Sequence, residues 1–156
     1  MILPPKEQGF TILEILFVVT VIAITVTIVT ISFSKLNSSQ ALDRSATLVA
    51  SVLDEARSLA LSSKDASQYG VYLGDSETVL FKGVTYSPSD PLNVVNTLHS
   101  LVGIRDVTLS GGGTSVVFKR LTGNTDQTGS LEIFLKASTT TFRIITISAT
   151  GIVELN

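Results

Sequence analysis

A carboxylate stands inside an apolar stretch near the start of the chain. Glu14 interrupts a run from Phe10 to Phe33 whose other polar members are threonines and Ser32. On insertion scales a carboxylate at the centre of such a span costs about 2.5–3.5 kcal/mol, so it normally has a partner and a task. The remaining chemistry-bearing residues are sparse. His99 is the single histidine. A lone histidine beside a strand reads as a surface or packed residue, and no Ser–His–acid set can be built from it. Asn124, Asp126 and Thr128 alternate ahead of Gly129 as in the first half of a calcium loop, but Leu135 stands where the closing glutamate is needed. Asn and Asp also simply favour turns, so these three are weak metal candidates and the turn reading is preferred. Gly111-Gly112-Gly113 lies between two expected strands with no helix behind it, which reads as a hairpin turn rather than a phosphate cradle. No P-loop, dinucleotide fingerprint or zinc spacing occurs. The expectation is no catalytic residue, no cofactor and no metal.

The elements that must position Glu14 follow from the hydropathy pattern. The 24 residues Phe10–Phe33 would span roughly 36 Å as a helix, enough to cross a bilayer core of about 30 Å. Val26-Thr27-Ile28-Val29-Thr30-Ile31 would suit a strand in water, but in hydrocarbon a single span must be helical to pair its own amides. Threonines are tolerable there because they can bond back to the carbonyl a turn earlier. A cleaved secretory signal ending near Ser32-Phe33-Ser34 is a competing reading, although the apolar run is long for one and the preceding cation Lys6 is offset by Glu7. A plain membrane anchor is another. Neither accounts for Glu14.

Beyond the span, Leu42, Ala46, Val49, Val52 or Leu53, Ala56, Leu59 and Ala60 keep a helical period, with Asp43, Arg44, Asp54, Glu55 and Arg57 largely off that stripe. One helix is therefore expected from about Thr11 to about Ser63. After it the period changes to two. Strands are expected at Tyr69–Leu73, Thr78–Lys82, Leu98–Val102, Asp106–Ser110, Ser115–Lys119, Ser130–Leu135, Thr141–Ile147 and Ile152–Leu155, separated by Gly-, Pro- and Asn-containing turns. The stretch Tyr86 to Asn96 is expected to be a mobile loop. The fold class is α+β: a long N-terminal helix, transmembrane in its first half, packed on a C-terminal antiparallel β-sheet domain of two layers. The expected organisation is a leader over residues 1–9, a transmembrane or filament-core helix over 10–34, the amphipathic half of the same helix over 35–64, and the β domain over 65–156.

Lys6-Glu7-Gln8-Gly9-Phe10-Thr11-Ile12-Leu13-Glu14, followed by the apolar stretch, resembles the class III signal of type IV pilins and type II secretion pseudopilins. That pattern joins a short polar leader, a Gly before the cut, an aromatic first mature residue and a Glu four residues on. The resemblance implies that a membrane prepilin peptidase cuts between Gly9 and Phe10, that the same enzyme N-methylates Phe10, and that Glu14 helps dock the subunit into a filament. No proline interrupts the apolar helix, unlike in common major pilins. A second resemblance covers the C-terminal half. Phe118-Lys119-Arg120-Leu121-Thr122-Gly123, Gly129, a strand through Ile145-Thr146-Ile147, and Gly151-Ile152-Val153-Glu154 look like the general secretion pathway H and fimbrial T group of minor pseudopilins. Residues 63–117 match that group poorly.

Together these imply a minor pilin or pseudopilin that initiates or caps a type IV pilus or type II secretion pseudopilus. It would begin as a single-pass protein of the cytoplasmic (inner) membrane with its C-terminal domain extracytoplasmic. Its partners would be other pilins or pseudopilins, the prepilin peptidase and methyltransferase, and the inner-membrane assembly platform. Two other roles compete. A DNA-binding minor pilin for uptake needs a basic strip, but net charge is −2, Lys119-Arg120 is the only adjacent basic pair, and Glu154 makes the tail acidic, so nucleic acid is not an expected partner. A membrane-anchored ligand-binding domain or enzyme would need a site constellation. Cysteine is absent, which removes disulfides and thiolate chemistry.

Overall fold

The computed structural model describes residues 9–156, the side chains of residues 31–35 and 139 excepted. The expected leader, residues 1–9, lies outside the described residues apart from Gly9. Helix α1 runs Ile12–Leu61. The chain divides into two compact units, one ending at Asn37 and the other Ser38–Asn156.

In the first unit the described side chains from Gly9 to Thr30 are all exposed. Backbone bonding here is completed within the helix, and the threonines add to it. Thr20, Thr25, Thr27 and Thr30 each donate to the carbonyl four residues earlier, at 2.8–2.9 Å. Their hydroxyls thus need no other partner in an apolar medium. Residues 12–30 are long and apolar enough to cross a membrane, with a mean hydropathy of 2.8.

In the second unit α1 turns one stripe inward. Leu42, Ala46, Val49, Leu53, Ala56 and Ala60 are completely buried, at the three- and four-residue spacing of a helix face. A 3-10 turn, Lys64–Ala66, follows α1. The strands are β1 Tyr69–Leu73, β2 Glu77–Lys82, β3 Val94–Thr97, β4 Val102–Leu109, β5 Ser115–Phe118, β6 Gly129–Leu135, β7 Ser138–Ile147 and β8 Val153–Leu155. They form two four-stranded antiparallel sheets, in the orders β3-β2-β1-β5 and β4-β6-β7-β8. Alternate residues of both sheets, among them Val71, Val116 and Phe118 from the first and Leu131, Ile133, Ile145 and Ile147 from the second, join the helix stripe in one hydrophobic core.

Seven of the eight expected strands each coincide over most of their length with an observed strand, whereas Leu98–Val102 meets β4 only at Val102. The expected strand Leu98–Val102 is a correction. Residues 98–101 form a turn: Val102 N–H donates to His99 C=O at 2.8 Å, and Leu101 N–H donates to His99 Nδ1 at 3.2 Å. Leu98 and Val102 are apolar because both anchor the turn in the core, not because the backbone between them is extended. The strand lies just upstream at Val94–Thr97, inside the stretch expected to be a mobile loop. The rest of that loop is tied down. Asp90 Oδ1 accepts Leu92 N–H at 2.9 Å, Asn93 Nδ2 donates to Ser87 C=O at 2.7 Å, and Tyr86 stacks on Tyr72 with ring centroids 4.3 Å apart.

Candidate functional site at the N-terminal helix and the joint that carries it

Phe10 precedes α1 and Thr11 caps it. Thr11 Oγ1 accepts the N–H of Glu14 at 3.2 Å, and Ile15 N–H donates to Thr11 C=O at 3.2 Å. Thr11-Ile12-Leu13-Glu14 is therefore the Ser/Thr-x-x-Glu pattern of a capping box, with Glu14 at its third helical position. The sequence reading missed this, although the spacing was there to be seen. It changes the energetics of Glu14. The carboxylate sits in the first helical turn, where unpaired backbone N–H groups and the positive end of the helix dipole favour a negative charge. Any burial of that charge would thereby be partly offset within the helix itself. Phe10, Glu14, Ile15, Val18 and Val19 line one continuous groove of about 270 Å³ on the helix surface, so Glu14 lies at the edge of an apolar strip. Gly9 and Phe10 are exposed, Phe10 at 81%, and an added Cβ at Gly9 would meet nothing within 4 Å. The segment that an enzyme would have to grip is open.

The C-terminal motif residues do something different. They clamp the end of α1 to the sheets. Ala60 C=O, one of the last carbonyls of the helix and so without a helical donor of the usual kind, accepts Leu121 N–H at 2.9 Å. Arg57 Nε donates to Thr150 C=O at 3.3 Å, and Arg120 Nη1 to Ala66 C=O at 3.0 Å. Gly123, at φ +64, sits against the helix: a Cβ there would lie 2.8 Å from Leu61 Cγ. Gly151, at φ +75, packs so closely that a Cβ would overlap the carbonyl oxygen of Gly123. Only glycine meets both demands, a left-handed backbone and no side chain. Phe118 is fully buried beneath this joint.

The weak calcium candidates do not converge on one centre. Asp126 Oδ1 accepts Lys119 Nζ at 2.6 Å, Thr128 Oγ1 shares a hydrogen bond with Ser110 Oγ at 2.8 Å, and Asn124 takes part through its carbonyl, which accepts Lys119 N–H at 2.7 Å. Among the described residues no three His, Cys, Asp or Glu side chains gather as a metal site. His99 is exposed and turns its Nδ1 onto its own loop.

One group with displaced titration lies at the 3-10 turn. Asp65 is held below its ordinary pKa of 3.8, first by the hydrogen bond from Lys82 and then by that from Tyr69. Tyr69 is pushed above 10.0 by burial and by the Asp65 carboxylate.

Residues 4–30 match the family described as the prokaryotic N-terminal methylation motif. No curated protein matches the chain. Among solved structures, two crystal forms of the type IV minor pilin FimU of Pseudomonas aeruginosa strain PAO1 share its fold. One superposes with a TM-score of 0.58 at 18% identity, over 80% of this chain and 92% of FimU. The other gives 0.55 at 18% identity, over 74% and 92%. The chain joins a prokaryotic N-terminal methylation motif to a fold that it shares with a type IV minor pilin.

Proposed function

We propose that the chain is a structural subunit that initiates or caps a pilin-type filament, a type IV pilus or a type II secretion pseudopilus, with no turnover of its own. The observation that carries this reading is the spacing of Gly9, Phe10, Thr11 and Glu14 at the head of a helix whose described apolar side chains are exposed as far as Val29. Such a surface is stable only against lipid or other apolar helices. A prepilin peptidase cuts between Gly9 and Phe10 and methylates the new amine. Before assembly residues 10–34 hold the subunit in the cytoplasmic membrane, with the β domain on the extracytoplasmic side. In the filament those same residues pack among the helices of other pilins, and the assembly platform drives the transfer.

Glu14 supplies the register. The carboxylate and the Phe10 amine are one helical turn apart, so they can pair within a subunit, and in a filament the carboxylate can meet a neighbour's amine. Apolar surfaces slide past one another, whereas a buried charge tolerates few positions, and breaking a buried pair costs about 3–5 kcal/mol. The test separates charge from capping. Glu14→Gln keeps a side chain able to complete the capping box but removes the charge, and Glu14→Leu removes both. Both variants should be cut after Gly9 and folded, and both should fail to co-purify with the other pilins. Normal incorporation of Glu14→Gln would show that the charge has no part in assembly.

A further inference from the structure

The two sheets have four edge strands, and three are protected. The outer side of β5 is covered by the following loop: Val117 N–H donates to Gln127 Oε1 at 3.1 Å, and Phe118 bridges to Thr125. On β4, Ile104 N–H donates outward to Asp75 C=O at 2.9 Å, and a bulge between Arg105 and Thr108 carries Arg105 and Asp106. Strand β8 is three residues long and carries Glu154. These are the usual devices that keep an edge from pairing with another chain.

Strand β3 has none of them. From Pro91 to His99 there is no Asp, Glu, Lys or Arg. Its register with β2 is unbroken, Thr97 opposite Glu77 through Val94 opposite Leu80. Leu98 N–H continues the ladder to Ser76 C=O at 2.9 Å. Bonded and non-bonded pairs alternate in an antiparallel ladder, so Val94, Asn96 and Leu98 face β2, while Val95 and Thr97 turn their N–H and C=O groups outward. Around this edge Leu92, Val94 and Val95 are more than half exposed. Beside β3 lies a groove of about 230 Å³, with Leu59, Leu80, Leu92 and Val94 among its apolar lining and Glu55, Lys64 and the Asp65–Lys82 ion pair among its polar lining.

We propose that the β3 edge receives an extended strand from a different subunit of the filament, which pairs antiparallel with Val95 and Thr97 and places one large apolar side chain opposite Val94, in the groove. The inference rests on the assembly reading above. Only a peptide main chain offers donors and acceptors at the spacing that Val95 and Thr97 present. Pairing at Val95 and Thr97 desolvates no charge of β3 itself, and the apolar part of the groove then selects the side chain beside the bonded positions. A second copy of this chain does not fit. Two-fold pairing of β3 with itself sets Asn96, Leu98 or Ser100 of the copy opposite Val94, depending on register. Two of these are polar, and Leu98 is already 95% buried in its own core.

The experiment follows individual amides in the full-length protein. Hydrogen exchange at Val95 and Thr97 is measured by fragmentation mass spectrometry, in the detergent-extracted subunit and in the assembled filament. Both amides should exchange freely in the extracted subunit and at least tenfold more slowly in the filament. Thr97→Pro removes an outward N–H without touching a bond to β2, and Val95→Lys places a charge on the edge. Each should keep the thermal midpoint of the extracted protein within a few degrees and lower incorporation at least tenfold. Unslowed exchange at both positions in a filament that contains the subunit would overturn the strand inference and leave the assembly reading standing. A photo-cross-link from position 97 to a helix or to a second copy would also overturn it. Absence of the wild-type subunit from the filament would overturn both.

Discussion

Gly112 and Gly151 have the same backbone conformation and opposite surroundings. Their φ values are +74 and +75. A Cβ on Gly112 would meet nothing within 4 Å, whereas one on Gly151 would overlap the carbonyl oxygen of Gly123 and come within 3.0 Å of Arg57 Nε. Gly112→Ala should therefore pay only for a left-handed alanine, about 1–2 kcal/mol. Gly151→Ala carries the same term and must also move a backbone segment. Forced overpacking costs about 1–3 kcal/mol, which brings the total to about 2–5 kcal/mol. The gain from restricting the unfolded chain, about 0.4–1 kcal/mol, applies to both and cancels in the comparison.

At about 4 °C per kcal/mol for a domain of this size, the midpoint should fall by about 5 °C for Gly112→Ala and about 15 °C for Gly151→Ala. Near-ultraviolet circular dichroism of the full chain in detergent reads this, because Tyr69 is buried in the core and Tyr72 stacks on Tyr86. Equal midpoints for the two variants would refute the argument that Gly151 is required by the close approach to Gly123. The terminal glycine motif would then be a turn like any other.

Other outcomes follow from the same structure. Mass spectrometry of the membrane-extracted protein should find Phe10 as an N-methylated first residue, and a start at Lys35 would instead establish an ordinary signal cut. A chain beginning near Lys35 should be soluble, monomeric and folded by circular dichroism, since the stripe from Leu42 to Ala60 is covered by the sheets. The Asp65 carboxylate, with its pKa lowered, contributes stability above its ordinary value of 3.8 that is lost as pH falls through the folded value. Tyr69, with its pKa raised, contributes stability below 10.0 that is lost as pH rises toward its folded value. Asp65→Asn should flatten the acid limb of urea midpoints measured against pH. Duplex DNA should bind no better than about 10⁻⁴ M at physiological salt, and a sub-micromolar, steeply salt-dependent affinity would revive an uptake role.

The helix and most strands were legible because each is written in local periodicity. Ile12–Leu61 follows from a continuous apolar run that passes into a three-and-four stripe. Strand β6 follows from Leu131, Ile133 and Leu135 alternating with Ser130, Glu132 and Phe134. Strand β3 was hidden because its core-facing partners are few. Val94 and Val95 are both exposed, so they show no alternation, and the prolines and asparagines around them read as loop. Which strands fall into which sheet, and in what order, was not legible, because that depends on contacts far apart in sequence. The N-cap that Thr11 makes to Glu14 N–H is the opposite case. Its signal is local, but Glu14 had been weighed only as a charge in an apolar span.

The motif residues at the two ends of the chain act in different units. At the head of α1, Thr11, Glu14 and the back-bonded threonines satisfy the backbone and hydroxyl groups locally. The apolar side chains there are therefore free to meet lipid first and other helices later without any change of internal bonding. At the tail, Leu121, Gly123 and Gly151 bind the last turns of the helix through backbone contacts that tolerate no added side chain. On the function proposed above, a subunit transferred from a bilayer to a filament needs both properties: an anchoring segment indifferent to which apolar medium surrounds it, with the Glu14 charge setting the register, and a folded domain that holds its own turns of helix in place. On this account Glu14→Gln and Gly151→Ala damage different steps. The first leaves a stable subunit that does not dock, and the second leaves a docking segment attached to a domain that unfolds early.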